Sequence, residues 1–191
     1  KSDGSDWDLG CVLHQLYKDR FVLAGFKHNI WYQFVGNCWE ESDSGVELSR
    51  EISLELYNVY HDKTVEMVQI MSGLENDKDE WKDYQHKVTI SSNICNKLKN
   101  NNSKKNIMQQ CKELFYDKEF FDLVDRNIDL LCCSNGVINL ATGEFRRGYP
   151  EDYITKCTDI DYIIPKNREK NLEKEVKEYW DIMCPEESVG K

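Results

Sequence analysis

The feature that most constrains the fold is a short segment with aromatic residues on both faces of a predicted hairpin. Residues 30–35 and 38–41 are rich in aromatic and β-branched residues and flank Gly36-Asn37, a favoured turn pair. Side chains alternate between the two faces of a strand, so Trp31 and Phe34 lie on opposite faces. Both faces are therefore largely apolar, which predicts a hairpin buried between helices or covered by a neighbouring domain. The alternative is that its aromatic rings stack on the bases of a single nucleic-acid strand. The rings concerned are those of Trp31, Tyr32, Phe34 and Trp39.

Most of the remaining chain has the apolar spacing of amphipathic helices. The first helix is expected over residues 7–19 with Asp6 as its N-cap, and a long second one runs from residue 46 until Gly73 ends it. Residues 100–105, which include three consecutive asparagines, are expected to form a polar loop. Further helices are predicted at 80–99, around 107–115, around 120–124 with Asp117 as its cap, and at 167–183.

A second β element is predicted late in the chain. Asn135-Gly136 is a turn signal because both residues tolerate positive φ, and a tight turn is expected at Thr142-Gly143. Residues 148–165 are expected to be extended. Their apolar anchors are Ile154, Ile160, Tyr162 and Ile164. The predicted fold is mainly α with small β hairpins, an α+β domain that has an N-terminal aromatic hairpin and a C-terminal hairpin.

Composition favours one domain over residues 1–165, followed by a connecting segment, 166–191. The chain has 191 residues and a formal net charge of −10, which repels a phosphate backbone on average. It contains eight cysteines, and its polar start lacks the pattern of a signal peptide. No apolar run approaches the length of a membrane span, so we expect no membrane contact. Because a signal peptide is not indicated, we expect the cysteines to be mostly buried thiols in a reducing compartment. The chain begins without Met and is expected to be a piece of a longer protein.

No constellation of residues points to catalysis, a bound metal or a bound cofactor. A phosphate-binding loop requires a first glycine where Pro185 stands before Gly190-Lys191. Cys11 and His14 share a helix face, but a second ligand pair at zinc spacing is missing. Adjacent Cys132 and Cys133 should point to opposite faces of a strand, one buried and one less buried. We therefore expect neither a catalytic residue nor a metal ligand in this chain.

A lysine-rich block is the strongest functional signal that residue types supply. Residues 84–112 contain six lysines and no acidic residue. Lysine contacts phosphate oxygens without reading bases, which predicts a local DNA-binding patch. The alternative is an ordinary solvated helix face and loop, which we favour for Lys87 and Lys112. The candidate DNA-binding residues are Lys97, Lys99, Lys104 and Lys105, together with Arg146 and Arg147.

The order of these elements resembles the domain that precedes the superfamily 3 helicase module in poxvirus-type and giant-virus primase–helicases. The similarity lies mainly in Asn135-Gly-Val-Ile-Asn-Leu140, Thr142-Gly-Glu-Phe-Arg146 and Pro150-Glu-Asp-Tyr-Ile-Thr155. It is supported by Asp6-Trp7-Asp8 before the first helix, the aromatic hairpin, the long second helix, and Trp180-Asp-Ile-Met-Cys-Pro185. This resemblance spans nearly the whole chain.

The resemblance implies a non-catalytic linker domain in a viral DNA-replication protein. A primase domain would lie upstream and an ATP-driven, homo-hexameric helicase that uses ATP and Mg²⁺ would lie downstream, in the host cytoplasm or at a viral replication site. Single-stranded DNA is then a candidate ligand of the lysine block. The alternative is a purely structural oligomerisation collar that makes no DNA contact.

Overall fold

The computed structural model describes residues 4–74, 78–158, 160–163 and 170–183. It contains seven α-helices and two three-stranded antiparallel sheets within these residues, in agreement with the predicted α+β class. The helices are α1 (Asp6–Tyr17), α2 (Val46–Glu51), α3 (Tyr57–Ser72), α4 (Lys78–Lys99), α5 (Asn101–Leu114), α6 (Phe120–Leu123) and α7 (Lys170–Met183). The strands are β1 (Phe21–Gly25), β2 (Ile30–Val35), β3 (Cys38–Ser42), β4 (Leu130–Cys133), β5 (Gly136–Asn139) and β6 (Phe145–Arg146).

Helix α1 begins one residue earlier than expected because Ser5, not Asp6, is its N-cap. The Ser5 hydroxyl accepts a hydrogen bond from the Asp8 backbone N–H at 3.1 Å. Asp6 lies in the first turn, where its carboxylate is 2.8 Å from the Lys97 ammonium. A carboxylate at this position also interacts favourably with the helix dipole. The predicted Asp6 cap was therefore wrong, although the helix itself was predicted correctly.

The aromatic hairpin is buried on both faces, as predicted. Strands β1, β2 and β3 form one sheet in that order, and Trp31 on β2 is fully buried in the main core. On the opposite face Tyr32 and Phe34 pack against a smaller cluster that contains Trp39 and Phe120. Two separate hydrophobic clusters therefore cover the two faces of the sheet. Trp31 and Trp39 are buried in them, while Tyr32 and Phe34 are partly buried, so packing within the protein accounts for these rings.

The main core is built around Trp31 by residues that lie between Leu9 and Phe115. Gly45, in the turn after β3, has φ +71°, and a Cβ there would lie 3.1 Å from the Trp31 ring. Only glycine combines this conformation with this close approach at low cost. The core is formed by residues of α1, β1, β2, the helical stretch that begins with α2, α4 and α5, and by the residue that follows α5. These are Leu9, Leu13, Tyr17, Phe21, Leu23, Trp31, Leu48, Ile52, Leu56, Ile94, Leu98, Ile107, Cys111 and Phe115.

The long second helix is continuous from Val46 to Ser72 but contains a π-helical segment, Ile52–Leu56. Both ends of this segment, Ile52 and Leu56, are fully buried in the main core. The backbone N–H of Gly73 donates to the Ile70 carbonyl and that of Leu74 donates to the Met71 carbonyl, which closes the helix. The predicted helix and its glycine stop are thus confirmed.

The polar loop predicted at residues 100–105 does not exist. Asn100 alone is extended, and its side chain accepts hydrogen bonds from the backbone N–H groups of Asn102 and Ser103. It is therefore the N-cap of α5, and asparagine is among the best residues for that position. The run of polar residues was the first turn of a helix, which places Lys104 and Lys105 on a helical face.

The second sheet has the order β4-β5-β6, so the predicted hairpin is a three-stranded meander. Gly143 has the positive φ expected at its turn, whereas Gly136 has none and is the first residue of β5. Glycine is needed at 136 because a Cβ would lie 2.6 Å from the Arg146 carbonyl oxygen. Cys132 and Cys133 are both buried, which corrects the expectation that one would be less so.

The segment after the second sheet is only partly as predicted. It contains one turn of 3₁₀ helix, Pro150–Asp152, and Ile154 is buried as expected. Ile160 is 72% exposed and so does not anchor the chain. Ile164 lies outside the described residues, and α7 is the part of the predicted connecting segment that the structure describes.

Helix α7 has an exposed apolar side. Its residues Tyr179, Trp180, Ile182 and Met183 are each at least 60% exposed. No helix among the described residues is long and apolar enough to cross a membrane.

We predict that the substitution Trp31→Ala lowers the free energy of unfolding by about 3–5 kcal/mol, because it leaves a large cavity in the main core. Urea unfolding followed by circular dichroism measures this loss. The control is Trp7→Ala, since Trp7 is 45% exposed, and it should cost about 1 kcal/mol or less. Equal losses for the two variants would contradict the central position of Trp31.

Candidate nucleic-acid interface

The lysine block does not form one surface, because Lys97 and Lys99 each contact other parts of the protein. Lys97, near the end of α4, donates a hydrogen bond of 2.8 Å to the Gly4 carbonyl and pairs with Asp6. It therefore ties α4 to the start of α1. A half-buried lysine with two internal partners is not available as a phosphate contact.

Lys99 has a similar structural role at the C-terminal end of α4. Its ammonium donates to the Ser53 carbonyl at 2.7 Å and lies 3.9 Å from the centroid of the Tyr57 ring. Both partners belong to the long second helix. Its position over the ring is the geometry of a cation–π interaction. Lys99 thus holds α4 against that helix, which the sequence pattern could not indicate.

The remaining lysines of the block converge on one groove. Lys104, Lys105 and Lys112 line a groove of about 660 Å³ between α5 and the turn that leads into α2. Lys104 and Lys105 are adjacent and Lys112 lies about two turns further along α5, so the three lysines lie within about 100° of one another around the helix. The other lining residues are Asn29, Asp43, Ser44, Val46, Ser49, Asn101, Met108 and Gln109. We call this surface the lysine groove.

The lysine groove is locally basic although the protein is acidic. Asp43 is its single acidic lining residue. No described carboxylate lies within 4.0 Å of the ammonium groups of its three lysines. The amides and hydroxyls around them can donate further hydrogen bonds to phosphate oxygens. Lys112, expected to be an ordinary solvated lysine, belongs to this group, whereas Lys97 and Lys99 do not.

The two arginines after the β5–β6 turn have different environments. Arg146 makes a bidentate ion pair with Asp152, with both N–O distances at 2.7 Å, and lies over the Tyr149 ring. Arg147 is exposed, and its carbonyl accepts a hydrogen bond from Arg146. The residue whose pairing is structural is Arg146.

The Asp152 carboxylate is fixed by several donors. Burial raises its pKa, but the Arg146 guanidinium and the Tyr149 backbone N–H, which donates at 2.8 Å, outweigh burial and lower the pKa overall. The same ion pair raises the pKa of Arg146. The pair therefore links β6 to the 3₁₀ turn Pro150–Asp152 and closes the second sheet.

The thiols give one arrangement that sequence reasoning missed. Cys11 and His14 remain on α1, where the His14 ring packs edge-on against Phe115, and burial lowers the His14 pKa. By contrast, the Sγ atoms of Cys38, Cys132 and Cys157 all lie within 4.8 Å of one another. Their separations along the sequence are too large to suggest a motif. Cys184 lies outside the described residues.

Burial raises the pKa of several thiols. That of Cys111, in the main core, rises to about 12, and those of Cys38 and Cys132 are raised by burial and by neighbouring thiols. These cysteines are therefore neutral at physiological pH unless something else binds them. None has the lowered pKa of a catalytic nucleophile.

A comparison with known protein families matches residues 11–186 to the family described as "D5 N terminal like". The match covers most of the chain, so this protein belongs to that family. The resemblance inferred mainly from residues 135–146 and 150–155 is thereby confirmed.

Individual relatives come from viruses. The chain is 30% identical over 161 residues to "Putative helicase L207/L206" of Acanthamoeba polyphaga mimivirus, an alignment that covers 84% of this chain and 17% of the relative. It is 26% identical to "Putative helicase 022R" of Frog virus 3, over 86% of this chain and 20% of that protein. A third relative, "Putative helicase 121R" of Invertebrate iridescent virus 3, is 24% identical over 97% of this chain and 22% of its own length. The chain spans about a fifth of the length of these relatives.

We predict that Asp152→Asn destabilises the protein by about 1–3 kcal/mol at pH 7, because it leaves a partly buried guanidinium without its counter-charge. The pKa of Asp152 is lowered in the folded state, so its stabilisation is present above the unfolded-state pKa and is lost as the pH falls through the folded value. The difference between wild type and variant should therefore shrink below about pH 4. Urea unfolding at pH 7 and pH 3 measures it. A difference that is independent of pH would contradict this account.

Proposed function

We propose that this chain is a non-catalytic accessory domain of a viral DNA-replication helicase, and that its lysine groove guides the phosphate backbone of single-stranded DNA. The observation that carries the proposal is the convergence of Lys104, Lys105 and Lys112 on one groove, with no described carboxylate within 4.0 Å of their ammonium groups. Family membership and relatives named as helicases supply the setting. In this proposal ATP and Mg²⁺ are bound by a separate superfamily 3 module, and a primase domain belongs to the same protein.

Charge distribution explains how an acidic domain can contact DNA. With a net charge of −10, the whole surface repels a nucleic acid at long range, so binding depends on short-range contacts in the groove. Three lysines on one helical face match a backbone contact that is independent of sequence. Binding by the isolated domain should be weak, with Kd in the range of about 10⁻⁴–10⁻⁶ M. Such an affinity suits a guide along which DNA slides toward a motor.

We predict that the triple variant Lys104→Gln, Lys105→Gln, Lys112→Gln loses single-strand binding. Fluorescence anisotropy with a labelled oligonucleotide at several salt concentrations measures it. Three phosphate contacts correspond to a log–log salt slope of about −2, so wild-type affinity should fall about 20-fold between 50 and 200 mM salt. The variant should lose most of this slope.

The matched control removes the same charge elsewhere. Lys63, Lys82 and Lys174 are exposed lysines that lie within 4.0 Å of Glu66, Asp79 and Glu178, on three other helices. Changing these three to Gln should leave binding nearly unchanged if the groove is the site. Equal binding by wild type and groove variant, or equal losses in both triple variants, would contradict the proposal.

A second candidate function is an oligomerisation collar without DNA contact, in a helicase that assembles as a homo-hexamer. The observation that favours it is the exposed apolar side of α7, on which Trp180 is 60% and Ile182 is 76% exposed. Exposed apolar side chains in such a group are typical of surfaces that contact another protein. The acidic surface is no obstacle to this role, since the contact would be apolar.

For the collar function we predict that wild-type protein self-associates as its concentration rises and that Tyr179→Ser with Trp180→Ser stays monomeric. Analytical ultracentrifugation measures the association. Lys177→Ser on the same helix is the control and should behave like wild type, because it changes a polar exposed residue. A wild-type chain that stays monomeric at all concentrations would contradict self-association through α7.

A further inference from the structure

Three cysteines that are distant in sequence meet at the junction of the two sheets. Cys38 begins β3, Cys132 lies in β4, and Cys157 forms a parallel backbone bridge with Cys132. Their Sγ atoms lie within 4.8 Å of one another, and those of Cys132 and Cys157 are 3.1 Å apart. We call these residues the thiol cluster. It is separate from the lysine groove, with which it shares no residue.

Backbone hydrogen bonds hold each of the three segments in place. The Trp39 N–H, next to Cys38, donates to the Ile154 carbonyl at 2.7 Å, which fixes β3 against the chain that leads to Cys157. The Thr158 N–H donates to the Cys132 carbonyl at 2.9 Å. Asn37 adds a link between the sheets, since its amide donates to the Ser134 carbonyl and accepts from the Gly148 N–H. The thiols are therefore brought together by the fold itself.

The spacing of the sulfur atoms suits a zinc ion. Thiolates bind Zn²⁺ at about 2.3 Å in a tetrahedron, so two such sulfurs lie about 3.8 Å apart. The Cys132–Cys157 spacing is 3.1 Å and the other two spacings are at most 4.8 Å, so none differs from this value by more than about 1 Å. Small side-chain rotations would bring all three sulfurs to it. The surrounding residues Val137 and Ile154 are buried and apolar, which shields metal–thiolate bonds from water.

We propose that the thiol cluster binds one Zn²⁺ ion through Cys38, Cys132 and Cys157. On binding, the three S–H groups release their protons to solvent, three Zn–S bonds form, and no atom is oxidised or reduced. Cys157 is exposed, so one side of the cluster is open to solvent, and a water molecule supplies the fourth ligand. Zinc at this position cross-links the β1-β2-β3 sheet to the β4-β5-β6 sheet and so stabilises their relative arrangement.

A disulfide between Cys132 and Cys157 is the competing occupant of this site. Bond formation would need the two sulfurs to move from 3.1 Å to about 2.0 Å and would leave Cys38 as an unused third thiol. The convergence of a third buried sulfur on the pair favours the metal.

The test measures zinc bound to the whole chain after purification under reducing conditions. Elemental analysis after chelator treatment and reloading with Zn²⁺ should give about one zinc ion per chain. Zinc at about 100 times its Kd should raise the melting temperature by roughly 5–10 °C. Replacing Zn²⁺ with Co²⁺ should give thiolate-to-cobalt absorption bands, which report sulfur ligation directly.

The informative variant is Cys157→Ser, because this exposed residue can change without creating a core cavity. It should lose the bound zinc and the thermal shift, whereas Cys11→Ser, a partly exposed thiol outside the cluster, should keep both. Absence of zinc from reduced wild type, or zinc retained by Cys157→Ser, would overturn the proposal. A Cys132–Cys157 disulfide found by peptide mass analysis in freshly purified, metal-free protein would also overturn it.

Discussion

Burial of the aromatic hairpin on both faces is the constraint on which the rest of the structure depends. Trp31 needs helices on one side, which α1, α4 and α5 supply, while Tyr32 and Phe34 need cover on the other. The chain after α5 provides that cover through Phe120. It is held there by backbone bonds between β1 and the end of α5, in which the Leu23 N–H donates to the Phe115 carbonyl and the Asp117 N–H donates to the Leu23 carbonyl. Sequence-distant helices are thus assembled around one small sheet.

The same assembly decides which charges remain available at the surface. Lys97 and Lys99 end α4 at points where that helix meets α1 and the long second helix, so their ammonium groups are satisfied by internal carbonyls, a carboxylate and an aromatic ring. Helix α5 buries its apolar residues Ile107 and Cys111 in the main core. Its lysines therefore face outward together. A block that is uniform in sequence is divided by packing into a structural part and a surface part.

The second sheet and the segment that follows it carry the residues on which the sequence resemblance mainly rested, and their contacts are structural. Asp152 closes the sheet through Arg146, and the Thr155 hydroxyl donates to the Asp125 carboxylate at 2.6 Å. These contacts fix the chain that places Cys157 beside Cys132. The most recognisable motif of the sequence thus positions the thiol cluster, although no cysteine spacing in that motif indicates a site.

The sequence by itself determined the helices, the two-sided hairpin and the α+β class, because periodicity and turn residues act locally and their signals survive in any context. It misplaced the Asn100 region, since a polar run reads alike as a loop or as a capped first turn of helix. Only the tertiary structure decided which lysines stay free and which cysteines meet. Those outcomes depend on contacts such as that of Lys97 with Gly4, or of Cys38 with Cys132, between residues roughly a hundred positions apart. No local pattern encodes such pairs, because their energy exists only once the helices and sheets have packed together.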